Sequence, residues 1–162
     1  MGGERSRKRQ QVFLYAADQI NILDFRFWIL DCRKPDTKTF WLREKGVNEE
    51  LFKARTRKIA LDIIELAESL PRSRTADVIG RQLIRSGTSI GANYRAACRG
   101  KSKADVLSKL AIVEEEADET IYWLELLIES KIVEFSRVNL LLRECNEIVA
   151  MIVASIKTLR GR

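Results

Sequence analysis

The side chains of this chain that could do chemistry begin with Cys98, which stands near Arg95, Arg99 and Lys101 in the sequence. Neighbouring positive charges can lower the pKa of a thiol and favour the nucleophilic thiolate. The chain contains no histidine, so the commonest general base and the commonest transition-metal ligand are both missing. Because no base is positioned for Cys98, we expect a protein that is not an enzyme.

A second group is a run of carboxylates, namely Glu114, Glu115, Glu116, Asp118 and Glu119. Carboxylate oxygens bind Mg²⁺ and Ca²⁺, but on one helix these five point in several directions and no second cluster accompanies them. We therefore expect no metal and no cofactor. We expect instead that Glu116 and Glu119 pair with cations of an adjacent helix, and a buried Arg85 would require such a partner.

The third group is basic, and it is unevenly distributed along the chain. Basic residues outnumber acidic ones by 12 to 4 between positions 53 and 103, whereas positions 104–162 carry 7 basic and 11 acidic residues. Such asymmetry favours head-to-tail association or offers the basic side to a polyanion. The candidate nucleic-acid-binding residues are Lys53, Arg55, Arg57, Lys58, Arg72, Arg74, Arg81, Arg85, Arg95, Arg99, Lys101 and Lys103.

Two interpretations of this basic set stay open, a solvated surface and a surface that contacts phosphates. Phosphate contacts would be independent of base sequence and sensitive to salt. Only Tyr94 adds an aromatic ring to the basic part of the second helical segment, so recognition of single strands by base stacking is weakly supported. A ring of subunits would multiply the avidity of a modest patch for a long polyanion.

Four amphipathic segments must position these residues, at about 48–70, 75–99, 102–130 and 136–159, because apolar residues recur there at helical spacing. Asn48 is a suitable N-cap for the first segment, which Pro71 ends. Gly100 is a natural end for the second, and Ser102 to Asp105 resembles a capping box for the third. Short connections favour antiparallel neighbours. The sequence predicts an all-α fold, an antiparallel up-down-up-down four-helix bundle over residues 47–162.

The second segment is rich in small residues where a helix normally carries bulk. Gly87 and Gly91 lie one turn apart, which favours close packing between helices or between subunits. Ser86, Ser89 and Asn93 would bridge subunits or bond to the preceding helical turn. The predicted packing residues are Ser86, Gly87, Ser89, Ile90, Gly91, Asn93 and Tyr94, together with Trp123 as a large anchor.

Residues 1–46 show no sustained helical or strand periodicity, although they contain an aromatic cluster. Two interpretations are open: an arm that packs on the bundle or a partner, and a segment outside the native coding sequence, with Val47 as the true start. No uninterrupted apolar run of about 18 residues predicts a membrane span, and no signal-peptide core follows the basic N-terminus. Because Cys32, Cys98 and Cys145 lack paired spacing, we expect reduced thiols and a cytoplasmic protein.

The run QLIRSGTSIGANYRAACRGKSKADVLSKL, followed by EEEADETIYWLELL, resembles the four-helix-bundle proteins encoded within intervening sequences of bacterial 23S ribosomal RNA genes. The matching positions are Gln82, Arg85, Ser86, Ser89, Ile90, Asn93, Arg99, Ser102, Glu116, Asp118, Glu119, Trp123 and Leu124. The likeness spans about residues 47–159. Ala96 to Arg99 depart from the acidic-glycine turn of many relatives.

This resemblance implies a small bundle that forms a homopentamer and has no known enzymatic activity. Accessory proteins of diversity-generating retroelements look similar too, and they form basic pentameric barrels that bind a reverse transcriptase and nucleic acid. We therefore expect a self-assembling scaffold that binds RNA or DNA through its basic half. The alternative is a protein-binding adaptor that docks a reverse transcriptase.

Overall fold

The computed structural model describes residues 46–161, and within this range the chain forms four long helices and no strand. Their bounds are α1 Gly46–Glu68, α2 Arg74–Ala97, α3 Lys103–Glu129 and α4 Phe135–Arg160. Each connection is five residues long, which is too short for anything but antiparallel neighbours. The predicted all-α up-down-up-down bundle is confirmed. The prediction for the N-terminal extension concerns residues outside this range, and the proposed start at Val47 stays a prediction.

The helices form two layers around one core. Helix α2 packs along both α1 and α3, and α3 packs along α4, whereas α4 meets α1 over a shorter stretch. The four helices therefore occupy the corners of the bundle in chain order, and we refer to α1 with α2 and to α3 with α4 as its two layers. The largest fully buried side chains are Phe52, Ile59, Ile63, Leu83, Ile90, Tyr94, Leu110, Val113, Leu124, Leu127, Ile148 and Ile152.

The helix ends differ in detail from the sequence-based prediction. Helix α1 begins at Gly46, so Asn48 lies in its first turn and is not its N-cap. Helices α2 and α3 do have serine caps, since Ser73 Oγ accepts from the Ala76 amide and Ser102 Oγ accepts from the Asp105 amide. The expected capping box is shifted, because the Asp105 carboxylate accepts from the Lys101 amide at 3.0 Å.

Gly100 plays a different part from the one predicted. Helix α2 ends at Ala97, three residues before this glycine, and Gly100 does not adopt the left-handed conformation of a helix C-cap. A Cβ atom at position 100 would lie 2.6 Å from Val106 Cγ2 and 3.1 Å from the Ala97 carbonyl oxygen. Gly100 is therefore required by the close approach of the α2–α3 connection to the first turn of α3.

None of the helices between residues 46 and 161 is both long enough and apolar enough to cross a membrane.

Candidate nucleic-acid interface

The small-residue stripe of α2 faces α1 of the same chain. A Cβ atom at Gly87 would overlap Ile63 Cδ1 of α1, and one at Gly91 would lie 3.4 Å from Thr56 Oγ1. The two glycines thus let the α1 and α2 backbones approach closely. This contact lies within one protomer, so the glycines do not supply an argument for contact between subunits.

Of the polar residues predicted to support packing, Ser86 and Asn93 form their hydrogen bonds within one protomer. The hydroxyl oxygens of Ser86 and Thr120 are 2.9 Å apart and join α2 to α3, both fully buried. Asn93 donates to the Ser89 carbonyl of the preceding turn at 3.0 Å. Of the other predicted packing residues, Ile90 and Tyr94 are buried, whereas Trp123 is only partly buried.

The twelve candidate cations fall into two classes. Five of them form ion pairs, namely Lys53, Arg55, Lys58, Arg81 and Arg85. The other seven are exposed and have no ion-pair partner among residues 46–161. These seven are Arg57, Arg72, Arg74, Arg95, Arg99, Lys101 and Lys103.

Arg85 joins α2 to α3 across the boundary between the layers. Its Nη2 donates to Glu119 Oε1, and its Nη1 lies 3.4 Å from both carboxylate oxygens of Glu116. The hydrogen bonds from Arg85 and from Trp123 lower the pKa of Glu119. Burial raises the pKa of Glu116 against the opposing charge of Arg85. Glu119 is therefore the stronger partner, and the predicted pairing with an adjacent helix is confirmed.

Arg55 joins α1 to α4 across the same boundary on the other side of the bundle. Its Nε donates to Glu144 Oε1 at 2.6 Å, and its Nη2 donates to Glu147 Oε2 at 2.8 Å. Burial opposes the charged guanidinium, but the hydrogen bond and charge of Glu144 prevail and raise the pKa of Arg55. Part of the charge asymmetry of the sequence is thus used within one chain, in two ion-pair clusters that join the basic layer to the acidic layer. We call these clusters the Arg85 clamp and the Arg55 clamp.

Most of the unpaired cations lie towards the two ends of the bundle, whereas Arg57 lies midway along α1. In an antiparallel bundle, the end of α2, the start of α3 and the end of α4 meet. Six exposed cations without an ion-pair partner among the described residues gather there. We call them the basic end: Arg95, Arg99, Lys101, Lys103, Lys157 and Arg160.

Few carboxylates of the described range accompany the basic end, and they are engaged. Glu49 and Glu50 both pair with Lys53, and Asp105 caps the Lys101 amide. Sequence reasoning missed Lys157 and Arg160 because they stand in the acidic half of the chain. The predicted antiparallel topology could have identified them, because it places the last turn of α4 beside the α2–α3 connection.

The basic end offers phosphate contacts and no platform for stacked bases. The one aromatic residue in the basic part of α2, Tyr94, is 1% exposed and its ring lies 4.2 Å from that of Phe52. Arginine and lysine side chains contact phosphates without regard to base identity. An interface built from these residues would therefore be independent of base sequence.

The basic sequence neighbours of Cys98 do not lower its pKa. Burial, together with the charge and hydrogen bond of Glu49, raises the pKa of this thiol to about 11. Sequence neighbours on a helix face different directions, so Arg95 and Arg99 are exposed while the thiol is half-buried. Residues 46–161 also contain no group of three metal-ligating side chains that could hold an ion.

Comparison with known proteins gives a consistent result. The family model described as 23S rRNA-intervening sequence protein matches residues 51–154. A crystal structure of a protein of unknown function from Bacteroides thetaiotaomicron, assigned to the S23 ribosomal protein family, has 36% sequence identity and a TM-score of 0.63. That alignment covers 67% of this chain and 97% of the other. No curated protein matches this chain.

The family model runs from the first turns of α1 to the last turns of α4. It includes the α2 and α3 segments that carry the sequence resemblance. The solved relative extends the likeness to the arrangement of the helices, because nearly its whole length aligns. The chain therefore belongs to the 23S rRNA-intervening sequence protein family.

Proposed function

We propose that this protein is a non-enzymatic, self-assembling bundle that binds the phosphate backbone of RNA or DNA through its basic end. The observation that carries the proposal is the gathering of six exposed cations, from three helices, without ion-pair partners in the described range. The opposite end does not share this character. It mixes Arg72, Arg74 and Lys131 with Glu68, Glu129 and Glu134.

The choice of nucleic acid as the ligand rests on the six exposed cations, because the family name refers to an intervening sequence of 23S rRNA and names no ligand. The resemblance supports self-assembly as a homopentamer. In a closed ring, every protomer presents its basic end on the same face, so a long polyanion would touch several copies at once. The absence of histidine from the whole chain supports a binding function over acid–base catalysis.

The proposal is tested by fluorescence anisotropy with a labelled mixed-sequence RNA of about 30 nucleotides, with light scattering to follow the mass of the complex. We expect binding at 50 mM salt that weakens roughly tenfold or more by 200 mM, because several counterions are released. Arg99→Glu/Lys101→Glu should abolish most of the affinity at 50 mM salt. Base composition of the RNA should have little effect.

The matched control is Arg72→Glu/Arg74→Glu at the opposite end, which changes the net charge by the same amount on residues that are also exposed. It should keep most of the affinity. Equal losses in both variants would mean that only net charge matters and would contradict a localised interface. An assembly that ignores RNA and DNA at 50 mM salt would favour the protein-binding adaptor instead.

A further inference from the structure

We infer that the basic end binds double-stranded nucleic acid in preference to a single strand. The inference rests on the phosphate binding proposed above and names the class of nucleic acid that the same site selects. Two properties of the site determine the preference. One is the electrostatic gain of its cations with each class, and the other is the position of the aromatic side chains.

The cations of the basic end come in three pairs, from the end of α2, the start of α3 and the last turn of α4. Neighbouring helices pack about 8–10 Å apart, so the three pairs are spread over an area and not along a line. Two open grooves, one between α1 and α4 and one beside Pro71, are lined by described residues and include none of these cations. Proteins that bind single strands use a positively charged groove that follows one backbone, and the basic end has a different arrangement.

Helix dipoles account for the cations of α2 and α4 but not for the pair at the start of α3. A cation at a helix C-terminus is stabilised by the dipole, as Arg95, Lys157 and Arg160 are. Lys101 and Lys103 flank the serine N-cap of α3, at the positive end of its dipole, where a cation is unfavourable. These two lysines therefore do not stabilise α3 through its dipole, and contact with phosphates would offset the local repulsion.

The electrostatic gain of the basic end is larger for a duplex than for a single strand. A duplex presents one phosphate per about 1.7 Å of axis, against one per about 3.4 Å for each strand. Each phosphate contact makes log K fall with log salt by about 0.9 on duplex DNA and by about 0.7 on a single strand. With about four to six contacts, this difference alone favours the duplex about 10- to 40-fold at 50 mM salt and about four- to sevenfold at 200 mM.

A single strand could compensate for this difference by stacking its bases on aromatic rings. One stacked base raises the affinity roughly 5- to 150-fold. A single exposed ring at the basic end would therefore be enough to cancel or reverse the preference, and the positions of the aromatic side chains decide between the two classes.

In the part of the chain that the structure describes, the exposed aromatic rings lie far from the basic end. Tyr122 is exposed and lies on α3 at a distance of roughly 28 Å from Lys103 along the helix axis, beside the partly buried Trp123. Phe135 is exposed and begins α4 at the opposite end of the bundle. Tyr94 is closer to the basic end but is buried. The described residues thus offer a single strand no stacking partner there, and the electrostatic advantage of the duplex remains.

Fluorescence anisotropy of the full chain tests the preference, with a labelled DNA strand of mixed pyrimidines, alone and paired with its complement. A strand of pyrimidines cannot pair with itself, so the first probe stays single-stranded. We expect the duplex to bind at least about tenfold more tightly at 50 mM salt, and the advantage to shrink towards 200 mM.

A double substitution, Lys101→Gln/Lys103→Gln, tests whether the basic end is the surface responsible. The slope of log K against log salt should become shallower by about 1.8 on the duplex, while circular dichroism shows unchanged helicity. The matched control is Arg72→Gln/Arg74→Gln, because these exposed arginines flank the serine N-cap of α2 as the lysines flank that of α3. This control should keep the slope of the unaltered chain.

The outcomes separate this inference from the proposal beneath it. Failure to bind either probe at 50 mM salt would overturn the proposed function and this inference together. Salt-dependent binding in which the single strand binds as tightly as the duplex, or more tightly, would overturn only the preference. Equal changes of slope in the lysine variant and the arginine control would overturn the assignment of the preference to the basic end.

Discussion

The absence of a side chain at Gly87 allows helices α1 and α2 to approach closely. Gly87 lies against Ile63, which is fully buried, so an added Cβ has no solvent-facing space to occupy. Gly91, one turn later, meets Thr56 only at ordinary van der Waals distance. The same substitution at these two positions therefore has different consequences.

We predict that Gly87→Ala destabilises the protein by up to about 2 kcal/mol, because an overpacking cost of about 1–3 kcal/mol is offset by a helix-propensity gain of only about 1 kcal/mol. Gly91→Ala, as the matched control, should be neutral or stabilising. Urea denaturation followed by circular dichroism measures both.

Ile63→Val provides the second arm of this experiment, because valine lacks the Cδ1 atom that the new methyl group would overlap. The double variant Gly87→Ala/Ile63→Val should be more stable than the sum of the single effects predicts. Strict additivity of the two single changes would contradict the packing argument.

For individual residues, the sequence predicted which face of α2 packs closely but not which helix packs against it. The spacing of Gly87 and Gly91 correctly indicates a surface without bulk, but periodicity cannot tell whether another helix of the same chain or another subunit covers it. Cys98 shows the complementary failure. Its basic sequence neighbours suggested a lowered pKa, while burial, a property of the tertiary structure, raises that pKa.

At the level of the helices, the Arg85 and Arg55 clamps each join one layer of the bundle to the other. Arg85 joins α2 to α3, where the interface is already extensive, whereas Arg55 joins α4 to α1, where the helices meet over a shorter stretch. A groove of about 720 Å³ runs along this second boundary, lined by charged side chains of both helices. The Arg55 clamp therefore has fewer neighbouring contacts to share its role.

We predict that Arg55→Ala destabilises the protein by about 1–2 kcal/mol, because Glu144 loses its ion-pair partner and Glu147 is left with its longer pair to Arg143, at 3.3 Å. Lys58→Ala, one turn away on the same helix, should have no measurable effect, since Lys58 pairs with Asp62 in solvent. Thermal and urea denaturation at low salt measure both. Equal effects of the two substitutions would contradict a special role for Arg55.

Helix positions were predictable to within two residues because each apolar stripe is long and regular. The clamps were only half predictable. Glu116 and Glu119 stand one turn apart, which indicated a partner on a neighbouring helix, but no local signal separates Arg55 from the cations around it. Its role depends on which helix closes the bundle, and that follows from the three-dimensional arrangement.

In the molecule as a whole, the unevenly distributed charge is found in three places. Part of it forms the two clamps, part gathers at the basic end, and part faces outward on α1 and α3. Counting charges along the sequence revealed the asymmetry but assigned Lys157 and Arg160 to the wrong half. Both residues lie at the basic end because α4 runs antiparallel to α3 and ends beside the connection between α2 and α3.

We predict that the free energy of unfolding and the affinity for RNA vary little between about pH 5.5 and about pH 7.5. The chain has no histidine, and burial raises the pKa of Cys98 to about 11 and of Cys145 to about 12. A titratable transition within this pH range would contradict the prediction. Chemical denaturation at intervals of half a pH unit measures it.

Below this range, Glu119 sets the expected direction. Its pKa in the folded protein lies below 4.5, so its stabilising contribution is complete above that value and is lost as the pH falls through the lowered pKa. Glu116 acts in the opposite sense, because its raised pKa favours protonation of the folded state. We therefore expect Glu119→Gln to reduce the acid sensitivity of unfolding and Glu116→Gln to increase it.

The close approach at Gly100 has a consequence for binding thermodynamics. The α2–α3 connection is held by its contact with Val106 and by the Asp105 carboxylate, which accepts from the Lys101 amide. Its backbone has therefore lost most of its freedom during folding, before any ligand arrives. Contact with a phosphate chain would immobilise only lysine and arginine side chains, at about 0.5–1.5 kcal/mol each, and would leave the conformational entropy of the main chain unchanged.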